Sequence, residues 1–180
     1  MRTSSLTTQR CRWLIAALVL TTSPAWGSEP SAKTVDTADS TRVVKTLYRE
    51  FAWEVIFEDA DFVALVDLPD AQLARFFTPG LSRLFAEDRA CRMTTHQTCR
   101  LDFSPIYATA SQQATRGIAI SPTSSRNEVQ VVVTINGDTT TLRFKLVHSP
   151  VGWRIDDIVY ENLKVTLRDV LSHPEHDVHP

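Results

Sequence analysis

Between Glu128 and Tyr160 the apolar residues recur at every second position, and two turn signals divide the run into three pieces. In "NEVQVVVTI", Val129, Val131, Val133 and Ile135 fall on one face of an extended chain. Such alternation restricts the fold severely, because a slip of one residue would turn the whole apolar set to water. "NGD" (Asn136 to Asp138) follows, and Asn-Gly accepts the positive φ angles of a tight hairpin turn. The returning "TTTLRFKLVH" places Leu142, Phe144 and Leu146 on one face, with Arg143 and Lys145 on the other. "SPVG" turns the chain again into "WRIDDIVY", and "TRGIAIS" upstream carries Ile118 and Ile120 two apart. These four segments predict an antiparallel four-stranded meander.

The first half of the chain has the helical period instead. Val43, Val44, Leu47, Tyr48, Phe51 and Val55 share a face, with Ser40 or Thr41 placed to cap the start. A short segment with Phe62, Leu65 and Val66 comes next. Then Thr78 caps a helix whose first position is Pro79, where the missing N–H costs nothing, and whose stripe is Leu81, Leu84 and Phe85. After the meander, Leu163, Leu167, Val170 and Leu171 predict a closing helix. Helices, then a meander, then a helix is an α+β order, with the helices on one face of a curved sheet.

The N-terminal stretch reads as a leader. Arg2, Arg10 and Arg12 precede the apolar run Trp13 to Leu20, and no acid occurs before Glu29. Ala25 and Gly27 supply small residues for cleavage after Gly27, so residues 1–27 are expected to be a secretory signal peptide. The apolar run is too short to span a bilayer. Without these residues the formal charge moves from −2 to −5, and no basic cluster remains. That balance argues against nucleic acid and anionic membrane as partners. Cys11 lies before the apolar run rather than at the cleavage point, which argues against a lipid anchor. The expectation is a periplasmic or secreted protein with a polar linker at 28–40, one domain at 41–172 and a tail at 173–180.

Cys91 and Cys99, in "CRMTTHQTC", are the two cysteines left after the leader. An exported chain favours their disulfide over a metal site built from Cys91, His96 and Cys99.

Three stretches, "FFTPGLSRLFAEDRA", "LDFSPIYATA" and "GWRIDDIVYENLKVTLRDVL", resemble the bacterial envelope proteins grouped as domain-of-unknown-function family 3828. The Trp-x-Ile-Asp-x-Ile ending of the meander resembles the wider nuclear-transport-factor-two-like superfamily. The resemblance runs from Thr41 to Leu171. It implies a cone-shaped α+β fold, an envelope location, and a possible homodimer through the open sheet face. It implies no reaction. Ser104 to Ser111 contains no acidic residue, where the family pattern is acid-rich.

Several residues are candidates for chemistry. Asp156 and Asp157 are adjacent, and on a regular strand parity sends their side chains to opposite faces, so they cannot form a dyad unless a bulge near the strand end breaks the count. Asp157, with the parity of Trp153 and Ile155, is the candidate general base of a small cone-fold enzyme, with Tyr107 or His148 assisting. Tyr107, Phe144, Trp153 and Asp157 are the candidate ligand-pocket residues; the other aromatics, Trp53, Phe57, Phe62, Phe76, Phe77 and Phe103, are assigned to the core. His173, His176 and His179 recur every third position, but Pro174 and Pro180 oppose the helix that would align them on a metal. Glu58 to Asp61 lacks the spacing of a calcium loop. No phosphate loop, nucleophile elbow or zinc motif occurs, and no cofactor is implied. The reading favoured is a non-catalytic exported protein that binds an envelope protein, a peptide or a small ligand, as an accessory, immunity or inhibitor protein. The alternative is the Asp157 enzyme.

Overall fold

The computed structural model describes residues 32–55, 63–109 and 115–173. Residues 1–27, Glu58 to Asp61, Phe57, Phe62, His176 and His179 lie outside the described residues.

Helix α1 runs Ala32–Phe51 and continues into a 3₁₀ turn, Ala52–Val55. It therefore takes in most of the stretch read from sequence as a linker. Ser40 and Thr41 are buried positions within the helix rather than caps at its start. Val44, Leu47, Tyr48 and Phe51 bury the expected stripe. After the 3₁₀ turn Leu65–Asp67 come α2 (Asp70–Leu73) and α3 (Pro79–Thr95). Thr78 caps α3 as expected, its side chain accepting from Leu81 N–H with Pro79 at the first helical position. Leu81 and Phe85 are buried on its inner face.

The sheet holds five strands, not four, in the order β1 (Thr115–Pro122), β2 (Glu128–Ile135), β3 (Asp138–Ser149), β4 (Gly152–Tyr160) and β5 (Val165–Thr166), all pairs antiparallel. Alternate residues of β2 are buried, Val129 through Ile135, as the sequence pattern requires. Ile135 pairs with Asp138 across the hairpin, and Asn136 and Gly137 both have positive φ. The fifth strand comes from the segment expected to begin the closing helix. Val165 and Thr166 instead pair with Tyr160 and Val159, and α4 is limited to Leu167–Ser172. Its start is a capping box: Thr166 Oγ1 accepts from Asp169 N–H while Asp169 accepts from Thr166 N–H.

The first half of β4 is covered on its outer side by the connection before α3. Thr78 N–H donates to the Ile155 carbonyl at 2.9 Å, and Ile155 N–H to the Phe76 carbonyl at 2.8 Å. With β5 pairing the second half, β4 is not left as an open edge.

Residues 101–109 form a buried loop rather than a helix or strand. Three tyrosines secure it. Tyr48 from α1 donates to the Ile106 carbonyl at 2.5 Å, Tyr160 from β4 to the Pro105 carbonyl at 3.0 Å, and Tyr107 to the Ala52 carbonyl at 3.2 Å. Buried carbonyls need such donors, since an unmet one costs about 1–3 kcal/mol. Burial pushes the Tyr48 and Tyr160 hydroxyls well above their ordinary range, so they remain donors.

Asp88 on α3 is buried with its charge fully engaged. It accepts from Arg100 and Leu101 N–H and pairs with Arg92, which also reaches Asp67 at 2.7 Å. Nearby, Cys91 and Cys99 form the expected disulfide. With both sulfurs bonded to each other, neither is left for a metal. No described helix is long and apolar enough to cross a membrane.

Candidate functional site

The two aspartates of β4 come first. Register shifts between Lys145 and Leu146, whose partners are Asp157 and Ile155, so Asp156 is an extra residue on β4. Such a bulge breaks strict alternation. Trp153, Ile155 and Asp157 are buried in alternation, burial then continues without a gap at Ile158 and resumes at Tyr160, and Asp157 is paired with exposed Lys145.

Both aspartates contact Arg168 of α4. Asp156 accepts from Arg168 Nη2 at 2.6 Å and from Thr78 Oγ1 at 2.8 Å, and its main-chain carbonyl accepts from Arg168 Nε at 2.7 Å. Asp157 Oδ1 accepts from Ile158 N–H at 2.9 Å and from Arg168 N–H at 3.1 Å. Asp157 is only 7% exposed, and desolvation raises its pKa against the lowering effect of those amides. A raised pKa is what a general base needs, but Oδ1 is already taken by two backbone donors.

A further carboxylate, half-buried, was not anticipated from sequence. Glu54, at the end of the turn following α1, accepts from Leu65 N–H and from Ser104 Oγ, the latter at 3.1 Å. Desolvation again raises its pKa above the ordinary value. Its contacts tie three separate segments together.

The described cavity lies elsewhere. A cleft of about 380 Å³ opens between α1, the connection from α2 to α3, and the β3–β4 hairpin. Helix α1 contributes Arg42, Val43 and Thr46, and the connection contributes Arg75 and Phe76. The hairpin adds His148 and the run Val151 to Arg154. Of Tyr107, Phe144, Trp153 and Asp157, only Trp153 lines this cleft. Tyr107 and Phe144 are core residues, each packed edge-on against Tyr48.

The charge of the lining is one-sided. It holds three arginines and no carboxylate. Glu50, just outside, accepts from Arg75 at 2.8 Å, and the Arg75 guanidinium also sits 5.0 Å from the Phe76 ring centre. Arg154 donates from Nε to the Ala74 carbonyl and from Nη1 to the Trp153 carbonyl, both at 2.8 Å. These acceptors are neutral, and Arg154 has no carboxylate partner among the described residues. The Trp153 ring meets His148 edge-on at 5.1 Å, and its buried indole N–H has no acceptor. Buried donors are nearly always satisfied, so this one is unusual.

Sequence reading missed Arg42, Arg75 and Arg154 because they are distant along the chain and form no motif. Hairpin register and α1 packing bring them together. His173 ends α4, with its ring near the Asp169 carbonyl, while the remainder of the histidine tail is outside the described residues. Comparison of the chain with protein-family models, with curated proteins and with solved structures finds no match.

Proposed function

We propose that this chain is a non-catalytic, exported binding protein of nuclear-transport-factor-two-like, cone-shaped fold, resembling domain-of-unknown-function family 3828. Its partner is an envelope protein or a small ligand, engaged at the cleft beside the β3–β4 hairpin. The observation that carries this reading is the cleft itself, with three arginines and no carboxylate on its wall. Binding surfaces hold charged and aromatic groups at an opening, and here Arg154 has no carboxylate partner among the described residues. The leader-like N-terminus supports export, and the disulfide suits an oxidising compartment.

The enzyme alternative keeps Asp157 as base. It is supported by the raised pKa and weakened by the two amides on Oδ1 and by the absence of Asp157 from the cleft lining.

The test is mild crosslinking of the purified chain in envelope extract, run beside Arg154→Gln. A partner retained by the parent and lost from the variant is the expected result. No partner and no ligand retained by the parent would sink the reading.

A further inference from the structure

We propose that the cleft takes a small amphipathic organic anion, with a carboxylate, sulfonate or phosphate head against Arg154 and Arg75 and an apolar body against Val43, Val151 and the Trp153 ring. This specifies the ligand of the binding reading above and rests on it.

Charge is the first argument. The whole chain is net acidic at −2, yet this cleft gathers three guanidinium groups with no carboxylate on its wall. Glu50, outside the wall, pairs with Arg75 through one nitrogen. An anion entering here meets the Arg154 charge, which no described carboxylate offsets, in a partly enclosed recess, where Coulomb attraction is stronger than in open water.

Preorganisation is the second. Two carbonyls fix the plane of the Arg154 guanidinium through Nε and Nη1. Nη2 has no partner among the described residues. A guanidinium already held in place loses little side-chain entropy on binding, and its remaining N–H groups suit an oxyanion. Holding it by neutral carbonyls leaves its charge intact.

Size and lining supply the third. About 380 Å³ falls in the range of small-ligand sites. Val151 at the hairpin tip is 74% exposed, and Trp153 on the wall is 8% exposed. Together with Val43 they give an apolar surface beside the arginines. A polynucleotide calls for a basic stripe along a surface, whereas these arginines converge on one recess.

Two fluorescent probes differing in one group test this. Anilinonaphthalene sulfonate carries an anionic head on an aromatic body; phenylnaphthylamine is the same body without the head. The sulfonate should bind the purified chain at one saturable site, about tenfold tighter than the neutral amine. Arg154→Gln and Arg75→Gln should each weaken the sulfonate by about five- to tenfold and leave the amine unchanged.

Because Arg154 also ties two carbonyls, a pair of variants at the exposed Val151 is added. Both lose the apolar contact of Val151, but Val151→Glu should weaken the sulfonate about threefold or more beyond Val151→Lys, the two differing chiefly in the sign of a charge at the rim. Equal affinity for both probes, or equal behaviour of the two Val151 variants, overturns the proposal. If the sulfonate fails to bind but an envelope protein is captured by the parent and lost from Val151→Glu, the ligand class falls and the binding reading stands. If neither is seen, both fall.

Discussion

Arg168 grips Asp156 twice, through the carboxylate at 2.6 Å and through the main-chain carbonyl at 2.7 Å. The same arginine reaches Thr78, the cap of α3, so one side chain joins the closing helix, the bulge of β4 and the start of α3. Arg168→Ala should cost about 1–3 kcal/mol, the range for hydrogen bonds to charged groups when solvent replaces part of the pairing. Arg168→Lys should recover only part of that, because an ammonium cannot make both contacts in one plane. Urea midpoints of the two variants check this. Equal stability of Ala and the parent would refute it.

Glu54 and Asp157 both have folded-state pKa values raised above their ordinary 4.5 and 3.8, chiefly by desolvation. For a carboxyl raised in this way the folded state binds the extra proton. Stability attributable to these groups is therefore greatest at acid pH and falls as pH rises from the ordinary values through the raised ones. Glu54→Gln/Asp157→Asn should flatten this fall, with the variant gaining on the parent between pH 4 and pH 7 as a rough window. Parallel urea melts across that range measure it. A parent whose advantage over the variant grows with pH would reverse the sign and exclude the argument.

Asp157 separates structure from catalysis in one further way. Asn can accept from the Ile158 and Arg168 amides through the same oxygen. Asp157→Asn should stay within about 1 kcal/mol of the parent, and Asp157→Ala should lose about 1–3 kcal/mol by stranding buried amides. Thermal and urea unfolding of both variants provide the comparison.

The Cys91–Cys99 disulfide spans eight positions and fastens the last turn of α3 to the loop that follows. Closing so short a loop is worth about 2–3 kcal/mol by the chain-entropy model. Cys91→Ser/Cys99→Ser should lower stability by that amount without changing the far-ultraviolet spectrum. Reduction of the parent should reproduce the loss. A midpoint insensitive to reductant would show the bond to be energetically idle.

Much of the fold was legible because its signals are local. Val129 to Ile135 alternate, Asn136-Gly137 turns, and Thr78-Pro79 starts a helix; each rests on neighbours in sequence, and each is found in place. The misreadings arose where a distant partner decided. Leu163 to Leu171 has helical spacing, but Val165 and Thr166 have an open strand edge to satisfy, and pairing with β4 takes precedence over propensity. Strict alternation breaks between Asp157 and Ile158, both buried, because a bulge depends on the partner strand's register. The cleft arginines were illegible for a related reason. Positions 42, 75 and 154 acquire a common meaning only after hairpin and helix have met.

The cover over the outer side of β4 also sets an order in time. Phe76 and Thr78 have backbone groups whose partner is Ile155, and the Thr78 hydroxyl waits for Asp156, 78 positions further along the chain. A ribosome must make the fourth strand before this cover can close. Until then the backbone groups of Phe76 and Thr78 that it will pair have only water to bond.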